Sequence, residues 1–366
     1  MAAWVGLLFV SSAMPLAAEF DTIGLYRSAS SALVRVVMVE EPGPDGVVTK
    51  WAFSGFFVDD TGRVVTNTGS GAPLSRVWIE KDGLSYLAEL VGSDPQTNVA
   101  LVQALKMPEN YATLPPDAAL PAPPVGSRVL RVALPLELDP TPTSGMVTGY
   151  ESALPTGVFP FTYTRVDMPA GLGDGGSPVV DATGALVGVT VFSVPDISSS
   201  YLVPARALRR IVDDIVATGS VDYGALPLEF AERPDSNNIS RNVVVASVVK
   251  DSSAARADVR PGDIVRLIGS TSIRRLNDVR DEIFAARPGQ FITLEVERDG
   301  RRIPFALRVD KRPDKPRVTL PTTPPEAQTA TPTGDDTSAS TRETQPATPP
   351  RLQPPTRPSG TGFLPD

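Results

Sequence analysis

The chain contains no histidine and no cysteine in its 366 residues. Histidine is the side chain that exchanges protons most readily near neutral pH, and the commonest protein ligand for transition metals. Without imidazole or thiolate, the usual zinc sites, Fe–S clusters, thiol nucleophiles and disulfides are excluded. Any catalysis would have to use Ser, Thr, Tyr, Lys or carboxylates, and no cofactor is expected. Calcium or magnesium on carboxylates stays open as a class, yet no Asp-rich loop of the required spacing occurs, so no metal is expected. A basic face is also missing. The net charge of −8 argues against a nucleic-acid partner, because phosphate binding needs clustered cations.

Long apolar runs are nearly absent. One lies at the start, over residues 2–14, and leads into Pro15-Leu16-Ala17-Ala18 ahead of Glu19. This reads as an export signal over residues 1–18, although no Lys or Arg precedes it. The alternatives are an uncleaved apolar anchor, the one route to a membrane the sequence offers, and a buried first element. Nothing later approaches the ~18 apolar residues of a bilayer span. A cysteine-free exported chain fits a bacterial periplasm.

What is present is strand after short strand. Apolar and β-branched runs at 33–39, 51–58, 64–66, 77–79, 99–105, 129–133, 161–166 and 186–192 alternate with turns such as Asp60-Thr61-Gly62. Their density over residues 30–225 predicts a sandwich or a pair of barrels. Residues 205–217 follow as a helix with apolar Leu208, Ile211, Val212 and Ile215 on one stripe. A smaller α+β unit then runs over residues 226–311. It has strands at 243–249, 263–268, 291–298 and 303–309, helices at 253–257 and 277–286, and a hairpin turn at Asp299-Gly300. Residues 313–366 carry 13 of the 38 prolines, and a disordered Pro/Thr-rich tail is expected from 312 onward. Leu320-Pro321-Thr322-Thr323-Pro324 would suit a groove for Pro-rich ligands, but a spacer is the plainer reading.

The order of these features resembles the HtrA/Deg family of exported trypsin-like serine proteases with a PDZ domain, over residues 30–311. Ser54-Gly55-Phe56-Phe57-Val58 and Gly62-Arg63-Val64-Val65-Thr66-Asn67 are similar to the hairpin that presents the catalytic histidine. Residues 93–102 are similar to the strand bearing the catalytic aspartate. Gly173-Asp174-Gly175-Gly176-Ser177-Pro178 is similar to the nucleophile loop. Residues 184–189 and 201–204 continue the register. The resemblance implies an all-β dominated fold: a trypsin-like double β-barrel over 19–225, a PDZ domain (α+β, a partly open barrel) over 226–311, then the tail.

The same register places Gly69 at the histidine position, Asn98 at the aspartate and Gly175 at the serine. A serine hydroxyl needs a base, and the base an orienting acceptor. With all three replaced, only an oxyanion hole made by the backbone N–H groups of Gly173 and Gly175 would remain. Ser177 is the alternative nucleophile, but the nearest lysines in sequence, Lys106 and Lys250, are distant. A small residue in a tight loop is the plainer reading.

Residues 243–265 resemble the PDZ core, with small Ala254 and Ala255 in a helix and Gly262 in the turn after Pro261. The resemblance implies that a peptide adds as a strand, its carboxylate held by backbone N–H groups at residues 224–228. Pro227 stands where the family has glycine, and it lacks an N–H. Leu226, Pro227, Leu228, Phe230, Val279 and Ile283 are the expected groove residues, with core packing as the other reading.

The leading expectation is a non-catalytic, exported HtrA/Deg-like pseudoprotease that binds protein or peptide clients through the PDZ groove, or regulates an active protease. A homo-trimer, or mixed assembly with an active relative, would use Phe20, Leu25 and Tyr26. The alternatives are a residual or rearranged serine endopeptidase and an inert spacer.

Overall fold

An 11-residue helix that no apolar stripe announced opens the folded chain. This helix, α1 (Thr22–Ala32), starts where Asp21 Oδ1 accepts from the Gly24 amide at 2.9 Å. It buries Leu25, Ala29 and Ala32 at a spacing of four and three, one face of a helix. The computed structural model describes residues 20–43, 46–154, 157–235, 237 and 239–312. The expected signal at 1–18 and the tail from 313 onward lie outside the described residues.

Twelve strands form two closed six-stranded barrels. The first is built from β1 (Leu33–Glu40), β2 (Lys50–Phe57), β3 (Arg63–Asn67), β4 (Leu74–Lys81), β5 (Leu84–Asp94) and β6 (Val99–Ala104), in the order β1-β2-β3-β6-β5-β4. The second uses β7 (Arg128–Ala133), β8 (Thr141–Leu154), β9 (Gly157–Val166), β10 (Pro178–Val180), β11 (Leu186–Val194) and β12 (Ser199–Pro204), in the order β10-β11-β12-β9-β8-β7. Val34, Val36, Met38, Val64 and Val102 fill the first barrel. Their neighbours Leu33, Val65 and Leu101 face a second core shared with Leu130, Val189 and Val203 of the other barrel. Both faces of these strands are covered, so they read in sequence as unbroken apolar runs. That is why they were legible.

Strands β5, β8, β10 and β12 were not anticipated. β8 carries Pro142, Gly145 and Gly149, and its pairing with β9 shifts register at Val147/Gly149 and again at Glu151/Ala153. Such bulges erase the period-2 pattern that marks a strand.

Helix α2 (Ala205–Thr218) ends at Gly219, in the left-handed conformation at φ +77°. After it, β13 (Gly224–Ala225) pairs with β20 (Asp310–Lys311). Between them lie β14 (Leu228–Pro234), β15 (Arg241–Val248), α3 (Ser253–Arg256), β16 (Ile264–Ile268), β17 (Thr271–Ser272), α4 (Leu276–Ala285), β18 (Phe291–Arg298) and β19 (Arg301–Arg308). The sheet runs β14-β15-β16-β18-β19, which leaves β14 at one edge. Within α3, Ala254 is fully buried while Ala255, expected to pack beside it, is exposed, and Gly262 makes its turn at φ +94° as the sequence suggested.

Helix α4 is covered on two sides. Val279 lies in the core of the smaller domain, with Leu276 and Ile283 packed on it. Residues 277, 280, 281 and 284 form the opposite stripe and meet the second barrel. The Thr162 amide donates to Asp281 Oδ1 at 2.7 Å, Arg280 Nη1 donates to Ser152 O at 2.8 Å, and the Phe284 ring lies 4.4 Å from that of Phe161. Arg287 adds an ion pair to Asp214 of α2 at 2.7 Å. Barrels and smaller domain thus pack as one unit.

Candidate functional site

Gly69, Asn98 and Gly175, the positions that the sequence register matched to the triad, lie beside Trp51, Thr68 and Asn67 respectively. Neither Gly69 nor Gly175 has a positive φ, so neither is glycine for the sake of its backbone. A Cβ at 69 would lie 3.0 Å from Trp51 Cδ1 and 3.1 Å from Nε1. Trp51 is held there by donating from Nε1 to Glu40 Oε1 at 2.6 Å, and Ser70 Oγ donates to the same oxygen at 2.5 Å. A Cβ at 175 would overlap the amide nitrogen of Asn67 and lie 3.1 Å from its Cγ. The third position, Asn98, adopts the left-handed conformation at φ +64°, which Asn tolerates. Its Oδ1 accepts from the Thr68 hydroxyl, and its Nδ2 donates to Val191 O at 3.2 Å.

The loop after Leu172 is pinned on several sides. Gly173 O accepts from the Ser54 amide at 2.9 Å and the Ser54 hydroxyl at 2.8 Å. The Gly176 amide donates to Thr190 O at 2.8 Å, and the Ser177 amide to Asp174 O at 3.1 Å. Asp174 pairs with Arg131 at 3.2 Å, and Arg131 also donates to Met168 O and Pro169 O. Burial pulls the Arg131 guanidinium below its usual value, and the Asp174 charge opposes this. Gly173 and Gly176 sit at φ +84° and +82° and require glycine. Ser177 is fully buried, with its hydroxyl on Thr190 Oγ1 at 3.1 Å.

Four residues before Asn98, Asp94 anchors a network the sequence did not announce. It accepts from the Tyr223 hydroxyl, from Thr97 Oγ1 at 2.6 Å and from the Gln96 amide at 3.2 Å. Burial pushes its carboxyl above the usual range, while these donors and the Arg312 charge oppose the shift. Arg312 stacks 4.3 Å over the Tyr223 ring and donates to Gln96 Oε1. The expected tail boundary at 312 therefore falls one residue early, because Arg312 belongs to the folded part.

The expected peptide groove lies between β14 and α4. Leu226, Leu228 and Val279 are 7%, 8% and 1% exposed and sit in the domain core, which was the other reading of these residues. Phe230 and Ile283 pack on its margin, half-buried. Pro227 O accepts from the Val249 amide at 3.0 Å, and Glu232 Oε1 accepts from the Leu276 amide at 2.9 Å, bridging strand and helix. Phe20 and Leu25, expected at a subunit contact, are buried in the chain's own core, and Tyr26 donates to Pro140 O at 3.1 Å.

Comparison with known proteins agrees with this architecture. Residues 53–189 match the trypsin-like peptidase domain family, and residues 227–309 match the PDZ domain family. The chain is a homologue of the HtrA/Deg family, with a trypsin-like double barrel and a PDZ domain in the family order. It is 26% identical over 274 residues to the probable periplasmic serine endoprotease DegP-like of Bartonella henselae, covering 71% of this chain and 53% of that one. It is 26% identical over 271 residues to the periplasmic serine endoprotease DegP of Escherichia coli, covering 70% and 56%. The chain spans about half the length of the curated relatives it matches. Among solved structures, the HtrA-type protease AlgW with tripeptide superposes with a TM-score of 0.63 at 22% identity, over 80% of this chain and 98% of that one. The serine endoprotease of Yersinia pestis does so at 0.54 and 20%, over 81% and 100%.

Proposed function

We propose that this chain is an exported, non-catalytic HtrA-type protein that holds segments of client proteins, or tunes an active relative, without cutting them. The observation that carries this reading is the occupied nucleophile position: the Asn67 amide lies where a serine side chain at 175 would project. Gly69 and Asn98 support it, since one offers no base and the other no charge. Ser177 is a poor substitute, being buried and bonded to Thr190. Export is supported by the periplasmic relatives and by the apolar residues 2–14.

Client binding is assigned to the edge of β14, where an extended segment would add as a strand with its side chains toward Phe230 and Ile283. Pro227 removes one amide from the carboxylate loop, so internal segments suit this edge as well as chain ends. The test has two arms. Unfolded casein incubated with the protein stays intact while the Escherichia coli relative degrades it, and titration of a diverse peptide set gives saturable binding. Casein cleavage that is absent from a mock preparation would refute the non-catalytic reading, and its loss in Ser177→Ala would assign the activity to that serine. Absence of any saturable peptide binding would refute the groove.

A further inference from the structure

The edge that would take a client strand is crossed by one of the protein's own side chains. In β14, Phe230 pairs with Val245 and Glu232 with Val243 of β15. Val243 and Val245 are buried in the core of the smaller domain, so Phe230 and Glu232 lie on the face of the sheet that α4 covers. Phe230 stops at the apolar margin of that core. Glu232 reaches across to the helix: its Oε1 accepts from the Leu276 amide at 2.9 Å, and its Oε2 lies 3.9 Å from Arg241 Nη1.

The partner amide explains why this contact forms. Leu276 opens α4, and the first amides of a helix have no acceptor within it. The residue before it, Arg275, carries no acceptor in its side chain, so Glu232 supplies one from the neighbouring strand. Moving α4 away to widen the groove is opposed, because Arg280, Asp281 and Phe284 fix its other side to the second barrel. Opening therefore falls to the Glu232 side chain, which is 30% exposed and can turn toward water.

We propose that Glu232 is a latch across the strand-addition groove, so that the free protein admits short segments and a long extended client must first displace the carboxylate from Leu276. A segment lying along β14 from Leu228 to Ala231 spans about four residues and stops short of the latch. A longer one meets Glu232, and its apparent affinity is reduced by the fraction of molecules in which the latch is open. The proposal rests on the assignment of client binding to the β14 edge, and the experiment separates the two.

Acetylated tripeptide and octapeptide libraries with common C-terminal residues, apolar at alternate positions, are titrated into the full chain, Glu232→Ala and Glu232→Gln. Glu232→Ala tightens octapeptides about tenfold, as expected when a hydrogen bond to a charged group no longer has to be broken, and leaves tripeptides within about twofold. Glu232→Gln keeps an oxygen that accepts from Leu276 and falls between the parent and Glu232→Ala. Without peptide, the Leu276 amide exchanges faster with solvent in Glu232→Ala than in the parent, as followed by NMR. The latch is overturned, and the groove stands, if Glu232→Ala changes both peptide lengths alike or neither, if Glu232→Gln matches Glu232→Ala, or if exchange at Leu276 is unaltered. If neither length saturates any of the three proteins, the groove falls and the latch with it.

Discussion

Serine at position 175 would need the space that the Asn67 amide fills. Gly175→Ser should therefore cost about 1–3 kcal/mol of stability from overpacking. Adding Asn67→Ala should return part of that loss, as a double-mutant cycle in thermal or urea unfolding would reveal. Neither variant should gain a phosphonate-reactive serine, because Gly69 still supplies no base. Asp94 gives a second prediction at this scale. Its raised carboxyl binds a proton more tightly folded than unfolded, so its contribution is full below the ordinary carboxylate range and is lost as pH rises through the raised value. Relative to Asp94→Asn, the parent should gain stability as pH falls through that window. Urea unfolding at a series of pH values checks this against the groups facing Asp94: Tyr163, Tyr223 and Arg312. Asp281, whose carboxyl is also raised by burial, adds a slope of the same sign to both proteins.

Helix α4 is the element on which the two domains depend together. Its apolar residue toward the barrel, Phe284, meets Phe161 at 4.4 Å, Tyr223 at 5.7 Å and the Arg210 guanidinium at 4.3 Å. Phe284→Ala should cost about 3–5 kcal/mol, the usual range for emptying a buried aromatic site. Hydrogen exchange should rise in both α4 and β9, not in the PDZ domain alone. Equal exchange in β9 of parent and variant would mean that the helix contributes nothing across the boundary. In sequence, 277–286 read as a helix because Val279 and Ile283 fall on one face. Its second face was illegible, because Asn277, Arg280 and Asp281 look like any solvated stripe until β8 and β9 are laid against them.

At the scale of the molecule, the PDZ domain packs on the barrels through α4 and leaves β14 as a sheet edge that an added strand could use. Glu232→Ala should release the bridge to the Leu276 amide and lengthen that edge. Binding of long extended peptides is then expected to improve more than binding of short ones, measured by parallel titrations. Barrel strands such as β1, β3 and β6 were legible from sequence because they are buried on both faces, and the family order of motifs pointed to Gly69, Asn98 and Gly175 as the positions to inspect. The absence of histidine came from counting alone. Local sequence could not say what lies against Gly69 and Gly175, since Trp51 and Asn67 are ordinary strand residues until segments distant in the chain converge. The Asp94 network and the two-faced α4 were likewise decided only in the tertiary structure. Burial and pairing depend on which segments meet, and no single stretch of sequence carries that information.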